Sequence, residues 1–217
     1  MIFDSIINNL IWTQGIYIFL VTVLIGFILY KLYWPLSIIA VGFFLFSFYF
    51  FRNPERSCPE ALTDPNILVC PADGHVVALE TIQDPTLGKV QKISIFLSPL
   101  DVHVQWTPIG GTIEQVNYRP GKFIVAYAPK SSDINERNDI IIATTNQQKI
   151  LVRQIAGIVA RRICWWVHGG EQLPVGTKYG MIRFGSRVDT LLPLDAKLNV
   201  TLDQYVYGGQ TILGRLS

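Results

Sequence analysis

Two long apolar segments without charge occupy the N-terminal quarter of the chain. Residues 5–30 contain no Asp, Glu, Lys or Arg, Lys31 interrupts the run, and residues 32–51 are again uncharged. A membrane-spanning helix needs about 20 consecutive apolar residues, so each segment has the composition of one span. The sequence therefore predicts that residues 1–52 form a transmembrane helical hairpin, with helices over about residues 11–31 and 35–51.

The turn and the flanks of this hairpin refine the prediction. Lys31-Leu-Tyr-Trp-Pro35 combines membrane-interface aromatics with a helix-breaking proline. Residues 36–51 would extend only about 24 Å at 1.5 Å per residue, so a re-entrant hairpin that does not cross the bilayer is the alternative. Arg52 and Arg56 follow the second helix and favour the rest of the chain on the cytoplasmic side of the cell (inner) membrane.

After the hairpin the composition changes. Residues 53–65 are rich in Pro, Asn and charge, which predicts a linker. Residues 66–217 contain short strand-like runs separated by Gly, Pro and Asn, and they predict a mainly β fold with a single β-barrel or sandwich-like domain. The predicted strands are residues 75–79, 90–97, 112–118, 139–145, 149–155, 187–192 and 210–216.

Charge and cysteine content exclude several classes of function. The formal net charge is +2 and no run of Lys and Arg exceeds two residues, so nucleic acid is not an expected partner. Cys58, Cys70 and Cys164 form an odd set without a Cys-x-x-Cys pair. That set argues against both a disulfide framework and a structural zinc site, and no metal site is predicted.

A Gly-Ser pair, Gly185-Ser186, lies between β-rich segments near the C-terminus. The pair alone is an ordinary turn, but it is part of a set of motifs that occur in one order. The set is Pro71-Ala-Asp-Gly74, Leu97-Ser-Pro-Leu-Asp-Val-His103, Tyr118-Arg-Pro-Gly-Lys-Phe123, Asn135-Glu-Arg137, Ile155-Ala-Gly-Ile-Val-Ala-Arg-Arg162 and Phe184-Gly-Ser-Arg187. Over roughly residues 50–217 the chain resembles the short-form members of the phosphatidylserine decarboxylase family.

The resemblance implies a pyruvoyl-dependent carboxy-lyase that is made as a zymogen. The Ser186 hydroxyl would attack the Gly185 carbonyl, and autocatalytic cleavage would leave a β chain (1–185) and an α chain (186–217) that begins with a pyruvoyl group made from Ser186. The pyruvoyl ketone would form a Schiff base with phosphatidylserine, and phosphatidylethanolamine and CO2 would be released. The implied partners are the phospholipid substrate, the membrane and the two processed chains, and a homodimer is compatible with the family.

Proton transfer in such a reaction needs a group that titrates near neutrality, and the chain has three histidines, His75, His103 and His168. His103 matches a histidine of the family motif, so it is the predicted acid–base residue. Longer family members carry a second histidine three positions on, within an Asp-His-Ser set for self-processing, and Trp106 stands there in this chain. Either His103 serves both stages or processing uses another base. Asp73 matches the family aspartate and would orient a histidine or hold a positive charge.

The substrate also needs cations for its phosphate and carboxylate, and the sequence does not choose among the candidates. The candidates are Lys122, Arg137, Arg153, Arg161, Arg162 and Arg187. The motif at 135–137 is predicted to be a polar loop that either covers the pocket or faces solvent.

A different function is the alternative: an uncleaved, membrane-anchored β-barrel adaptor or lipid-binding protein without catalysis. Trp106 in place of the second histidine is the feature that favours it. A serine hydrolase is disfavoured because Phe184-Gly-Ser-Arg-Val188 lacks the Gly-x-Ser-x-Gly elbow.

Overall fold

The computed structural model describes residues 15–124, 134–157, 162–183 and 186–217. The chain divides into two compact units, Met1–Glu55 and Arg56–Ser217. The first unit is helical and the second is mainly β.

The described residues of the first unit form the helices α1 (Ile16–Leu32) and α2 (Trp34–Phe50). Tyr33 separates them, because its extended backbone (φ −161°, ψ 99°) ends the first helix, and a proline follows in the first turn of α2 where no backbone donor is needed. The two helices pack against each other. The rings of Phe19 and Phe44 have centroids 4.3 Å apart.

These helices occupy most of the predicted hairpin, although residues 11–14 of the first predicted helix lie outside the described residues. Each helix has 17 residues, short of the about 20 that a span requires. Among the residues that the structure describes, no helix has both the length and the apolarity to cross a membrane. The prediction of a membrane-spanning hairpin is therefore not supported.

Within its described residues, the second unit begins with a short helix and continues as fourteen strands. The elements are α3 (Pro59–Thr63), β1 (Ile67–Val69), β2 (Gly74–Asp84), β3 (Gly88–Leu97), β4 (Val104–Trp106), β5 (Gly111–Arg119), β6 (Arg137–Ala143), β7 (Lys149–Ala156), β8 (Ile163–Trp165), β9 (Gln172–Leu173), β10 (Lys178–Ile182), β11 (Ser186–Leu192), β12 (Lys197–Leu198), β13 (Tyr205–Val206) and β14 (Ile212–Arg215). The prediction of a mainly β fold is confirmed.

An eight-stranded antiparallel sheet forms the centre of this unit and curls into a half-barrel. Its strand order is β13-β2-β3-β11-β7-β6-β5-β9. Two three-stranded sheets, β1-β14-β12 and β4-β10-β8, accompany it. The strand β4 follows β3 closely in the chain but pairs in a different sheet, so the segment between them turns a corner at one end of the central sheet.

The segment predicted as a linker is partly folded. Helix α3 lies within it, and Cys58 and Ala61 pack with Val69 of β1 in a small buried cluster. Apolar contacts of this kind order a segment whose Pro-rich composition alone suggests a loop. The second compact unit, Arg56–Ser217, includes this helix.

The two faces of the central strands carry different chemistry. Ile95 and Leu97 of β3 and Val188 and Leu192 of β11 belong to the main apolar core. Ser186 lies on the same face as Val188, because side chains alternate along a strand. The opposite face of β11 carries buried charges, which are described with the site below.

At the start of β2 the backbone of Phe96 lies so close to position 74 that a side chain there would clash. Gly74 has φ +139°, and a Cβ atom there would lie 2.0 Å from the carbonyl oxygen of Phe96.

We expect Gly74→Ala to lower the free energy of unfolding by about 3 kcal/mol or more, because backbone strain and overpacking add. Gly176→Ala is the matched control, since it has φ +75° but open space around it. It should cost about 1 kcal/mol.

Chemical unfolding of the full chain in detergent, followed by tryptophan fluorescence, measures both substitutions. Equal losses for the two variants would contradict a role for the close approach to Phe96.

Candidate active site

Ser186 is the first residue of β11, the strand at the centre of the curled sheet. It pairs with Leu97 of β3 on one side and with Ala156 of β7 on the other. All seven residues of β11 are buried. Gly185, the other half of the predicted cleavage point, lies outside the described residues.

The Ser186 hydroxyl is fully buried, and its Oγ has no hydrogen-bond partner within the described part of the chain. Leaving a buried polar group unsatisfied costs about 1–3 kcal/mol. Such a group calls for an explanation beyond packing, and a reacting atom is one. The residue type and its environment fit a serine that is to be converted into a prosthetic group.

His103 is also fully buried. Its Nδ1 lies 3.0 Å from the carbonyl oxygen of Asp101. Because a carbonyl oxygen only accepts, this hydrogen bond requires the ring proton on Nδ1, and in the neutral ring Nε2 is then the basic nitrogen. The contact thus fixes both the tautomer and the plane of the imidazole.

Two chain connections bring His103 to the Ser186 end of the sheet. Leu97, the partner of Ser186, ends β3, and the turn that follows leads directly to His103. The carbonyl oxygen of His103 accepts a hydrogen bond of 3.2 Å from the backbone N–H of Ile182, three residues before Gly185. Both sides of the cleavage point are therefore connected to the His103 segment.

Asp101 organises the turn that carries His103. Its Oδ2 accepts from the backbone N–H of Ser98 at 2.7 Å, and its own N–H donates to the Ser98 carbonyl at 2.9 Å. Its Oδ1 accepts from the hydroxyl of Tyr205 at 2.7 Å. The sequence analysis assigned no role to Asp101 or Tyr205. The sequence does contain a local turn signal for Asp101, namely an aspartate three residues after a serine. No local signal could have identified Tyr205.

A chain of buried amides reaches His103 from the other direction. Asn138 Nδ2 donates to Gln154 Oε1 at 3.0 Å, Gln154 Nε2 donates to Gln105 Oε1 at 2.8 Å, and Gln105 Nε2 donates to the His103 carbonyl at 2.6 Å. All three amide side chains are fully buried and donate in the same direction, so each bond polarises the next. This network fixes the backbone of His103 as Asp101 fixes its ring.

Asp73 lies in the tight turn before β2 and is bound by an arginine. Both Nη atoms of Arg56 donate to its carboxylate, with Nη2 2.9 Å from Oδ2, and the backbone N–H of Gly208 donates to Oδ1 at 2.8 Å. Arg56 Nη1 also donates to the Gly208 carbonyl at 3.0 Å. The Arg56–Asp73 pair therefore joins the start of the second unit to the turn after β13. Sequence reasoning missed Arg56 as the partner.

Trp106 fills the space beside this pair. Its ring is fully buried, and the Arg56 Cζ lies 5.0 Å from the ring centroid, which is cation–π distance. A Cβ at Gly208 or Gly209 would lie 2.5 Å or 3.1 Å from the indole, so both glycines leave room for the large ring. Trp106, which stands where longer family members carry the second histidine, therefore stacks against Arg56.

The other two histidines stand apart from this arrangement. His75 is exposed at the start of β2, with its ring 5.0 Å from that of Tyr205. His168 is exposed, and its Nδ1 lies 2.9 Å from Glu171 Oε1. His103 is the histidine that the fold buries.

Two of the candidate cations are bound in buried ion pairs on the face of the sheet opposite to Ser186. Arg153 contacts Asp139 through Nε at 2.7 Å and Nη2 at 2.9 Å, and Arg187 contacts Asp189 at 2.9 and 3.1 Å. Burial alone would lower the pKa of Arg153, but its hydrogen bond to Asp139 and the charges of three aspartates more than offset burial and raise that pKa. These guanidinium groups hold the sheet together.

The remaining candidate cations lie on other segments of the second unit. Lys122 forms a β-bridge with Asn135, Arg137 begins β6, and Arg162 is exposed next to β8. Burial raises the pKa of the Cys164 thiol, while the charges of Arg183 and Arg162 act in the opposite direction, so both guanidinium groups lie near β8. Arg161 lies outside the described residues.

The predicted polar loop at 135–137 is not solvent exposed. Asn135 is buried and its side-chain amide donates to the carbonyl oxygens of Ile124 and Ala156 at 2.8 and 2.7 Å. Glu136 is also buried and accepts from the backbone N–H of Ile163 at 3.3 Å. Because Ala156 is the strand partner of Ser186, this segment forms one wall at the Ser186 end of the sheet.

The Arg56–Asp73 pair makes a direct prediction for stability. Arg56→Ala should lower the free energy of unfolding by about 3 kcal/mol, because it leaves the nearly fully buried Asp73 carboxylate without its cation. The control is Arg215→Ala, which removes a more exposed arginine paired with Asp64. That change should cost at most about 1 kcal/mol. Denaturant titration of both variants is the measurement, and a small, equal effect would show that the buried pair adds nothing.

Comparison with known proteins agrees with this geometry. Residues 43–214 match the model of the family described as phosphatidylserine decarboxylase. A protein of Burkholderia lata named phosphatidylserine decarboxylase proenzyme is 45% identical over 184 residues, which cover 84% of this chain and 83% of that protein. A protein of the same name from Salinibacter ruber is 44% identical over 184 residues, 84% of this chain and 81% of that protein. The chain therefore belongs to the phosphatidylserine decarboxylase family.

Proposed function

We propose that the chain is a proenzyme that cleaves itself between Gly185 and Ser186 and then converts phosphatidylserine to phosphatidylethanolamine and CO2. The observation that carries the proposal is the buried Ser186 hydroxyl, which lacks a described hydrogen-bond partner at the end of the sheet where His103 is buried. The relatives named proenzymes support it.

Cleavage uses groups of this chain and water. The Ser186 hydroxyl loses its proton to His103 and attacks the Gly185 carbonyl carbon, and the peptide C–N bond breaks to give an ester and a free amine on Ser186. Removal of the Ser186 α-proton eliminates the Gly185 carboxylate, which becomes the new C-terminus. Water then replaces the nitrogen of residue 186, which leaves as ammonia, and a pyruvoyl group remains.

The environment of Ser186 suits this group. Ser186 is held between two strands and its hydroxyl has no partner among the described residues, so among them it has no hydrogen bond to lose on reacting. The ketone of a pyruvoyl group supplies an electron sink for loss of CO2 from a carbon that bears an amine. The protein residues then bind the lipid head group, exclude water and return a proton to that carbon.

We assign both proton-transfer stages to His103. Trp106 fills the position of the second family histidine, and His75 and His168 are exposed. The bond from Nδ1 to the Asp101 carbonyl leaves Nε2 as the basic nitrogen that accepts the Ser186 proton. The same nitrogen, once protonated, is the donor to the substrate carbon after decarboxylation.

Asp73 belongs to the site as the holder of a positive charge, the second of its two expected roles. Its carboxylate bonds Arg56 and the Gly208 backbone. For the substrate phosphate and carboxylate, Lys122 and Arg162 are the candidates, because Arg153 and Arg187 are bound in ion pairs on the other face and the strand register places Arg137 on that face too.

Membrane association is the second part of the proposal. Many apolar side chains of α1 and α2 are exposed, among them Leu24, Ile39 and Val41. Exposed apolar surface of this extent favours contact with lipid. A re-entrant hairpin would make that contact without crossing the bilayer. We place the first unit in the inner membrane and the second on its cytoplasmic side, as Arg52 and Arg56 favour.

Intact mass of the freshly purified full chain under denaturing conditions tests cleavage. We expect two fragments split after Gly185, with the small one lighter by one ammonia than a chain that begins with serine. Ser186→Ala should stay uncut. Ser94→Ala is the matched control, because Ser94 Oγ is also buried without a described partner but lies on β3. It should be cut like the wild type. An uncut wild type, folded and with membrane added, would instead favour the adaptor.

Substitution of His103 tests the assignment of the base. His103→Gln should slow cleavage by about 10²–10⁴-fold, the usual contribution of a positioned acid–base group. His168→Gln is the control that should cleave at the wild-type rate, because its side chain is exposed. The fraction cut against time, on denaturing gels, is the measurement. Cleavage of His103→Gln at the control rate would eliminate His103 as the base.

A further inference from the structure

Asp101 is the point where segments from the two sides of the cleavage site meet. Tyr205 belongs to β13, which follows Ser186 in the chain, and pairs with His75 of β2. Its hydroxyl donates to Asp101 Oδ1 at 2.7 Å. Asp101 precedes the cleavage site and lies two residues before His103. The hydrogen bond therefore joins the future α chain to the turn that carries the proposed base.

Each polar atom of Asp101 has a separate task. The carboxylate oxygen Oδ2 and the backbone N–H close the turn through Ser98. The carbonyl oxygen accepts from His103 Nδ1. The remaining oxygen, Oδ1, accepts from Tyr205. A displacement of Asp101 therefore moves the hydrogen-bond acceptor of the imidazole directly.

Tyr205 is held in a fixed orientation as a donor. Its ring stands edge to face with His75 at 5.0 Å and with Tyr207 at 5.1 Å between centroids. Burial, followed by the hydrogen bond and charge of Asp101, raises the pKa of Tyr205. The phenol therefore keeps its proton across the physiological range and donates it to the carboxylate.

We propose that Tyr205 is a positioning residue for His103, acting through Asp101. This inference rests on the proposed function, because it concerns the orientation of the proposed base. The hydroxyl of Tyr205 fixes Asp101, and the carbonyl of Asp101 fixes the plane and tautomer of the imidazole. The α chain thus contributes to the site at a second position besides its first residue.

Tyr205→Phe tests the proposal, with Tyr207→Phe as the matched control. The first variant removes the hydroxyl and keeps the ring stacked, and the second removes the hydroxyl of the exposed neighbouring tyrosine. We expect Tyr205→Phe to slow self-cleavage by about tenfold, which is part of the rate enhancement that a well-oriented base provides. In the mature protein, kcat for phosphatidylserine in detergent micelles should fall by a similar factor with KM unchanged. Tyr207→Phe should match the wild type in both assays.

Asp101→Asn tests the same hydrogen bond by changing its acceptor instead of its donor. The amide oxygen still accepts from Ser98, but the carboxylate acceptor for Tyr205 is lost. If Tyr205 acts through Asp101, adding Tyr205→Phe to Asp101→Asn should slow cleavage no further. Additive losses in the double variant would overturn the proposal. If Tyr205→Phe does not fold, a wild-type cleavage rate in Asp101→Asn would overturn it instead.

The outcomes separate this inference from the proposed function. A wild-type chain that is never cleaved would contradict both the proposed function and this inference. A wild type that is cut, with Tyr205→Phe and Tyr207→Phe cut equally fast, ends this inference alone. A higher KM with unchanged kcat would also overturn it, because such a change indicates substrate binding rather than orientation of the base.

Discussion

The antiparallel pairing of β11 on both of its sides is the constraint on which the site depends. Ser186–Leu192 pairs with β3 from Leu97 to Gln91, and with β7 from Ala156 to Leu151. A strand bonded in this way stays in the sheet when one peptide bond at its start is cut, because both hydrogen-bond ladders and its core side chains remain. The fold can therefore hold the proposed nucleophile in its interior and would keep the two proposed chains together after cleavage.

The same strand separates structural charge from reacting groups. Ser186 shares a face with the apolar core, while Arg187 and Asp189 lie on the other face, near Arg153 and Asp139. A buried pair of this kind is stable only while both partners are present. These arginines are therefore poor candidates for binding a substrate that comes and goes. One face of the sheet holds the buried ion pairs, and the other holds the apolar core and the proposed reacting serine.

The sequence predicted the fold class and the order of the main strands, because alternation and turn residues are local signals. It also singled out His103, the histidine that the fold buries. It could not find Tyr205 or Arg56, since each meets its partner only after distant segments have folded together. The buried segment at 135–137 was expected to be a polar loop, because its composition does not show that Asn135 and Glu136 satisfy backbone groups of neighbouring strands.

The fit of Trp106 against Gly208, Gly209 and Arg56 also limits how sequences of this family can interconvert. A histidine at 106 would leave a void where the indole lies, and the Asp73 carboxylate would still be bound by Arg56. The change from an arginine-bound to a histidine-bound aspartate therefore requires coordinated substitutions at several sites. Trp106→His alone would therefore cost packing without giving the Asp73 carboxylate a histidine partner.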